Sequence, residues 1–253
     1  GYVSGVGIGS FTLGSGATNE NYTNKLEDHY ASWMWDAGTA ASGANTNGTI
    51  NIASGDQWVN DTAGFSMTKF TGTGANATFG HGLSAAPEFV IIKKTSSTGS
   101  NGDWTCQHVG STLGSGRLIL NENYSNDTSN ASAYWNSTAP TSTTVSVGSH
   151  SNVNTNGQPH MCYAWRSISG YSAFGSWKGT GADPGPFVFL GFRPRYFLMK
   201  ELDDATNWLI YDAERDSGNP TQFYLFANTT DAGATYDASS TDLSIDFLSN
   251  GVK

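Results

Sequence analysis

Short hydrophobic runs, separated by polar turn residues, dominate the chain. The clearest is residues 89–93, a β-branched run between Pro87 and a stretch rich in Ser, Thr, Asn and Gly. Similar runs follow at short intervals with no helical period between them, and four Asn-Gly dipeptides favour hairpin turns. The pattern predicts an all-β fold built from antiparallel β-sandwich modules of jelly-roll or lectin-like type.

A long stretch of this pattern occurs twice. Residues 64–93 return in degraded form as residues 170–200, with the same Gly-Thr-Gly step and the same proline before the strand-like run. Further along, Trp104 is matched by Trp208, and Leu120-Asn121 by Ala227-Asn228. Repetition over such a length predicts tandem structural modules. We therefore expect an N-terminal segment at 1–63, a complete module at 64–169 and a second, C-terminally incomplete module at 170–253.

The second copy predicts strands at residues 171–177, 187–190, 196–200, 208–212, 223–227 and 244–248. It has no counterpart of the closing strand at 161–165, so we expect either that the chain stops early or that a neighbour supplies this strand.

The N-terminal segment follows the same plan less clearly. Residues 1–17 fit a Gly-rich strand or an extended connector, and helical spacing around Leu26 allows a short helix. Residues 31–35 resemble 162–165, and residues 30–35 are therefore interpreted as the closing strand of a truncated earlier copy. Residues 37–63 and 121–138 are predicted to be a polar insertion and a polar loop.

Charge and hydropathy exclude several classes of partner. The net charge is −9 and the 12 Lys and Arg residues are scattered, so no basic patch predicts nucleic-acid binding. No apolar run approaches the roughly 20 residues of a membrane span. Hydrophobic residues still make up 37% of the chain, enough for real cores. The chain begins without Met, and we expect it to be a segment with modules on both sides.

Two cysteines leave an alternative open. Cys106 and Cys162 both lie in strand-like runs of the first module, so one hypothesis is that they form a disulfide. The other hypothesis is that both are buried free thiols. It is favoured because the second copy has Ile210 at the position of Cys106.

Four aromatic residues lack a counterpart in the other copy and lie in polar stretches: Trp58, Tyr124, Tyr134 and Trp135. Exposed rings among Asn, Asp and Ser suit sugar binding, because the ring stacks on the apolar C–H face and short polar groups bond the hydroxyls. They are candidate glycan-binding residues. The alternative is that each ring anchors its loop to the sandwich.

No pattern of catalytic or metal-ligating residues is recognisable. His81, His108, His150 and His160 do not form a HExxH pair or other ligand spacing. Glu201, Asp203 and Asp204 form an acidic cluster that we interpret as a solvated surface, with Ca²⁺ binding and glycosidase chemistry as weaker alternatives. We expect no enzyme activity, no cofactor and no metal.

The motifs together resemble a known class of repeat. The stretch GHGL-x3-P-x-F-x-I-x-K and the stretch AFGSW-x-GTG-x4-GPF-x3-GFRP are the most specific parts, within a similarity over residues 26–253. They look like a repeat module of tailed-bacteriophage virion proteins, especially marine and cyanophage types, found in tail-fibre-like or other particle-surface proteins. The resemblance implies a non-enzymatic structural and adhesive role but no ligand residues.

The resemblance implies a virion-surface or extracellular location and attachment to host glycans. Expected partners are other copies of the chain, with a trimer by analogy with fibres, other virion proteins and a host-surface glycan. Nucleic acid and membrane insertion are not expected. A secreted carbohydrate-binding module of a polysaccharide-degrading protein, and a purely architectural capsid or filament subunit, are the alternatives.

Overall fold

The computed structural model describes residues 3–7, 10–13, 30–96, 102–231, 234–235 and 243–253. The chain divides into two compact units, Gly1–Trp35 and Asp36–Lys253. In the first unit β1 (Val3–Gly7) and β2 (Ser10–Leu13) form an antiparallel hairpin, where the sequence predicted a Gly-rich strand or an extended connector. The helix predicted around Leu26 lies outside the described residues. The prediction of a strand at 30–35 is wrong, because these residues belong to no strand.

The second unit is mostly β. Its strands are β3 (Gln57–Asn60), β4 (Phe65–Thr71), β5 (Ala77–Gly80), β6 (Phe89–Lys94), β7 (Thr105–His108), β8 (Leu118–Ile119), β9 (Thr144–Val147), β10 (Pro159–Trp165), β11 (Val188–Phe189), β12 (Tyr196–Met199), β13 (Leu209–Asp212), β14 (Phe223–Phe226), β15 (Ala234–Thr235), β16 (Phe247–Leu248) and β17 (Gly251–Val252). Two short helices, α1 (Ala131–Trp135) and α2 (Ser151–Asn154), and a 3₁₀ turn at Val109–Ser111 complete the described elements.

All strand pairs in the described part of the chain are antiparallel. The largest sheet has six strands in the order β3-β4-β10-β6-β7-β8, and β5 pairs with β9 separately. A four-stranded sheet has the order β12-β13-β14-β15, and a three-stranded sheet the order β11-β17-β16. The predicted all-β class is therefore confirmed at the level of several antiparallel sheets.

Three clusters of buried residues hold these sheets together. The first core lies between the six-stranded sheet and the β5–β9 pair and includes Phe79, Ile92 and Val145. The second core joins the four-stranded and three-stranded sheets through Tyr211 and Phe247. A third cluster, here called the joint core, joins the outer face of the six-stranded sheet to the four-stranded sheet; its buried members are Phe89, Ile91, Cys106, Leu118 and Trp208.

The two larger sheets share one register. Phe89 pairs with His108 and Ile92 with Thr105 in the six-stranded sheet. At the sequence-matched positions, Tyr196 pairs with Asp212 and Met199 with Leu209.

The matching extends to side-chain hydrogen bonds. The Trp104 amide donates to Oδ1 of Asn121 at 2.8 Å, and the Trp208 amide donates to Oδ1 of Asn228 at 2.9 Å. The copied residues therefore build the same β6-β7-β8 and β12-β13-β14 ladders.

Three expectations about irregular segments are wrong. Residues 37–63 are more than a polar insertion, because they supply β3 and the core residues Ile50 and Ile52. The predicted loop at 121–138 contains α1, whose five residues are too few to show a helical period. Residues 171–177 form no strand. Their matched strand β4 pairs with β10, and no described strand of the four-stranded sheet takes the place of β10.

Candidate functional site

Two of the four candidate glycan-binding rings are inaccessible. Trp135 is 0% exposed, and its indole N–H donates to the carbonyl of Gly116 at 3.0 Å. Tyr134, its neighbour on α1, is 3% exposed. Both rings close the first core. The hypothesis that they stack on a sugar is therefore wrong for these two residues, and the anchoring alternative describes them.

Tyr134 belongs to a polar network under the loop that follows β8. Its hydroxyl contacts Nη1 of Arg117 at 2.5 Å and Nε2 of His150 at 2.9 Å. Arg117 also donates from Nη2 to Asp127 at 2.6 Å. Burial, followed by the Arg117 charge, lowers the pKa of His150. The network therefore fixes the loop to both short helices instead of presenting groups to a ligand.

The other two candidates keep accessible rings but do not form one site. Trp58 is half-buried on β3, where it pairs with Met67, and Tyr124 is 53% exposed in the loop after β8. Strands β3 and β8 are the opposite edges of the six-stranded sheet. With about 4.8 Å between neighbouring strands, the two edges are on the order of 20 Å apart.

The loop that carries Tyr124 is joined to the acidic cluster identified from the sequence. The amide of Asn126 donates to the carbonyl of Leu202 at 2.8 Å, which ties the Tyr124 loop to the turn between β12 and β13. That turn exposes Glu201 and Asp203. We call Tyr124, Glu201 and Asp203 the Tyr124 surface. It combines an exposed ring with nearby hydrogen-bond acceptors, the chemistry of a shallow sugar site.

Lys200 holds the acidic turn in shape. Its ammonium donates to the carbonyls of Glu201 at 2.5 Å and Asp204 at 3.1 Å, and to Oγ1 of Thr206 at 3.3 Å. Burial lowers the pKa of Lys200, although Glu201 and Asp204 act against the shift. Because Lys200 bonds backbone carbonyls, the carboxylates of the turn remain directed to solvent.

A groove of about 290 Å³ is lined in part by residues of the same turn. Met199, Leu209, Phe226 and Leu243 form its apolar part, and Glu201, Thr206 and Asn207 form its polar part. In the six-stranded sheet the matching face of β6 is covered by α2, whose Val153 is fully buried. The groove is thus the place where the four-stranded sheet has no counterpart of α2 among the described residues.

A larger cleft of about 580 Å³ is lined by charged residues that are engaged locally. Arg195 pairs with Glu214 at 2.9 Å, and both side chains are largely exposed. The Asp216 carboxylate accepts hydrogen bonds from the amides of Gly218, Gln222 and Phe223. Burial raises the pKa of Asp216, but these amide bonds outweigh it, so the net pKa is lowered. The carboxylate therefore closes a turn.

The cysteines cannot form a disulfide with each other. Both are free and buried, and β6 lies between their strands. Cys162 faces the first core and Cys106 the joint core, so they lie on opposite sheet faces and about 10 Å apart across two strand spacings. Burial raises the pKa of both thiols. The buried-thiol alternative is the correct one.

The histidines and carboxylates form no metal site in the part of the chain that the structure describes, where no group of three or more His, Cys, Asp or Glu side chains could hold an ion. His81 and His160 are fully buried, and each ring engages backbone groups with both nitrogens. No helix among the described residues is long and apolar enough to cross a membrane.

The chain matches a family model over almost its whole length. The model of a family described as Domain of unknown function (DUF7483) matches residues 4–253. No curated protein matches the chain, and no solved structure matches it.

Proposed function

We propose that this chain, which belongs to the DUF7483 family of unknown function, is a non-enzymatic structural protein of a virion surface that attaches to host glycans. The proposal places it in a tail fibre or another particle-surface protein, built from tandem antiparallel β-sandwich modules. The resemblance of its repeat motifs to tailed-bacteriophage modules motivates this role. What the structure adds is the arrangement of the repeated ladders and the position of the exposed aromatic rings.

The shared register supports the tandem-module part of the proposal. Each copy forms one ladder of three matched strands, and each ladder packs on a separate smaller sheet through its own core. Two sheets packed face to face around one core make a sandwich. Rigid sheets connected by polar loops suit a particle surface, because the loops can contact a partner while the sheets hold the loops in position.

The Tyr124 surface is the observation that carries the glycan part. A ring that is 53% exposed stands on a loop tied by a hydrogen bond to a turn of exposed carboxylates. The ring offers an apolar face, and the carboxylates accept bonds from sugar hydroxyls. A single site of this size binds weakly, so attachment would depend on avidity from many copies on one particle.

Glycan-array and whole-cell binding by multimerised protein test the proposal. Tyr124→Ala should abolish specific binding, because the stacking face is lost while the fold is unaffected. Tyr171→Ala is the matched control, since Tyr171 is an exposed tyrosine outside this surface, with 60% exposure. Equal binding by the folded Tyr124→Ala variant and wild type, or no binding by folded wild type, would reject the glycan role.

A purely architectural subunit is the second candidate, and a separate observation favours it. Phe189 lies on the edge strand β11 and Phe187 directly precedes it, and they are 69% and 46% exposed. Their matched residues Thr78 and Gly80 are covered by the segment around Asn45 and Thr49. Exposed large apolar side chains at a sheet edge favour contact with another protein.

A further inference from the structure

One face of the six-stranded sheet becomes polar at β7 and β8. Cys106 and Leu118 are opposite each other on these strands, and both belong to the joint core. Because side chains alternate along a strand, Thr105 and Gln107 on β7 lie on the other face, toward the first core. Arg117 directly precedes β8 and lies on the same face. Continued by one residue, the register of the two strands places Gln107 opposite Arg117.

The two short helices cover this polar face. Asn152 of α2 donates from Nδ2 to Oδ2 of Asp103 at 2.8 Å, and Asn121 donates to Oδ1 of the same carboxylate at 3.3 Å. The hydroxyl of Tyr134 on α1 lies 2.5 Å from Nη1 of Arg117. The polar side chains enclosed between the sheet and the helices are here called the polar layer: Asp103, Thr105, Gln107, Arg117 and Asn152.

Four buried atoms of the polar layer have no hydrogen-bond partner in the described part of the chain. They are Thr105 Oγ1, Gln107 Nε2, Arg117 Nε and Asn152 Oδ1. Thr105 and Gln107 are 0% exposed, and Asn152 is 3% exposed. These four are half of the eight such atoms among the described residues. Since the large majority of buried polar atoms in native proteins are paired, their concentration in one layer has a common cause.

Three of these side chains cannot turn to find another partner. Oε1 of Gln107 accepts the amide of Gly114 at 2.9 Å, so turning the side-chain amide over would set two N–H groups against each other. Turning Asn152 over would place its Oδ1 against the Asp103 carboxylate. The guanidinium of Arg117 is fixed by bonds from both of its terminal nitrogens. The unpaired atoms therefore stay in the layer.

The described residues of the second ladder carry an apolar face instead. At the positions matched to Thr105, Gln107 and Arg117, this ladder has buried members of the second core. In the same order, they are Leu209, Tyr211 and Tyr224. Two ladders of one register thus carry a polar face in one copy and an apolar face in the other. Strand pairing does not require the polar residues, so they are specific to the first copy.

The unpaired atoms determine which kind of molecule can bind to them. Arg117 Nε and Gln107 Nε2 only donate hydrogen bonds, whereas Asn152 Oδ1 only accepts them. The Thr105 hydroxyl does both. An anion cannot donate to Asn152 and would lie on the same face as the Asp103 carboxylate. A metal cation cannot accept from Arg117. Water both donates and accepts, and a buried water typically makes about three hydrogen bonds.

We propose that the polar layer is a binding site for ordered water molecules between the sheet and the two short helices. Water accepts from Gln107 and Arg117, whose side chains are neighbours across the two strands. It also bonds the Thr105 hydroxyl and donates to Asn152, which completes the attachment of α2 to the sheet. This site goes beyond glycan attachment, and it would remain if Tyr124 bound no sugar.

A high-resolution crystal structure of the full chain tests for the water molecules directly. Ordered solvent density should lie within about 3.2 Å of Thr105 Oγ1, Gln107 Nε2 and Asn152 Oδ1. Crystals grown with bromide distinguish water from an anion, because bromide gives anomalous scattering and water does not. Ordered side chains without solvent density, or anomalous density beside Arg117 Nε, would overturn the proposal.

Urea denaturation of Thr105→Val is a second, independent test. Valine has nearly the shape of threonine, and the Thr105 hydroxyl bonds no described residue. If the hydroxyl binds water, valine deprives that water of a partner, so the urea midpoint should fall. If the hydroxyl is dry, valine removes an unpaired polar group and the midpoint should rise. A midpoint that is raised or unchanged contradicts the proposal.

Ser66→Ala is the matched control. The Ser66 hydroxyl is also buried and unpaired among the described residues, but it lies on β4, outside the polar layer. Removal of this isolated hydroxyl should leave the urea midpoint unchanged or raise it. An equal fall for Ser66→Ala and Thr105→Val would mean that the fall reports lost packing and not lost hydration, and would count against the proposal.

Discussion

Two buried imidazoles depend on being neutral. In His160, Nε2 accepts the amide of Thr155 at 3.3 Å and Nδ1 contacts the carbonyl of Gln158 at 3.0 Å. In His81, Nδ1 accepts the amide of Leu83 at 3.1 Å and Nε2 contacts a carbonyl at 3.2 Å. In each ring the nitrogen that faces the carbonyl must therefore carry a proton, and the nitrogen that accepts the amide must not. Burial lowers the pKa of both rings from 6.5, and the carbonyl contacts offset this only in part.

These shifts predict a loss of stability in weak acid. Below pH 6.5 the two histidines bind protons in the unfolded chain but remain neutral in the folded chain. Protonation therefore favours the unfolded state, and the free energy of unfolding falls as the pH falls toward the pKa values of the folded state. Urea denaturation at about pH 8 and about pH 5.5 should show a lower midpoint at the acidic pH. His160→Gln keeps an acceptor for the Thr155 amide and should reduce the difference.

Lowered carboxylate pKa values act in a separate pH range. Burial raises the pKa of Asp61, but bonds from Arg166 and Ser84 outweigh it and bring the pKa from 3.8 to about 2. Stability from this group is lost only below pH 3.8. Asp61 therefore does not account for a change between about pH 8 and pH 5.5. If the urea midpoint is the same at these two pH values, the assignment of the acid effect to His81 and His160 is contradicted.

The short helix α1 buries two aromatic residues that were predicted to be exposed in a loop. Asn136 ends it in the left-handed conformation, with φ of 52°, and its amide bonds back to Ala131 and Ser132. This arrangement turns Tyr134 and Trp135 inward together, although an extended loop would have placed neighbouring rings on opposite sides. Two of the four candidate sugar-binding rings, Tyr134 and Trp135, are therefore packing residues.

Trp135→Ala and Tyr124→Ala should separate the two kinds of ring. Loss of the fully buried indole removes core contacts and its bond to Gly116, and should cost about 3–5 kcal/mol in the free energy of unfolding. Loss of the exposed Tyr124 ring should change it by less than about 0.5 kcal/mol. Urea denaturation followed by circular dichroism measures both. Similar costs for the two variants would show that Tyr124 is also an anchor.

Strands could be predicted from the sequence where the partner strand was present. The run at 89–93 became β6, and its copy became β12, because each has the apolar pattern and a neighbour to pair with. Residues 171–177 carry a similar pattern but form no strand. Pairing is a tertiary property, and a local pattern does not reveal whether the partner is there.

The candidate site was only partly predictable for the same reason. The aromatic and acidic residues of the Tyr124 surface could be identified by type, since Tyr124 and Glu201 stood out in polar stretches. Their proximity depends on the bond between Asn126 and Leu202, which joins two distant parts of the chain. No local signal predicts such a contact.

The two ladders are coupled in one body through the joint core. Trp208, 4% exposed, donates its indole N–H to the carbonyl of Ile119 at 2.9 Å, which links the start of β13 to β8 in the other sheet. Phe174 and Leu198 pack against the same cluster. The matched Trp104 contributes from the other side, where Lys93 lies 5.3 Å from its ring centroid. The same tryptophan position of the repeat, Trp104 in one copy and Trp208 in the other, thus contributes a ring to each side of the joint core.

Trp208→Ala should therefore destabilise both ladders. The expected cost is about 3–5 kcal/mol in the free energy of unfolding, because a buried indole is lost from a cluster shared by the two sheets. Hydrogen exchange read by mass spectrometry should show faster exchange in peptides covering β7 and β8 as well as β13 and β14. Trp177→Ala, at a ring that is 42% exposed, is the control and should leave β7 and β8 unchanged. Loss of protection confined to β13 and β14 would mean that the two ladders fold independently, and that the joint core is a contact between modules and not a shared core.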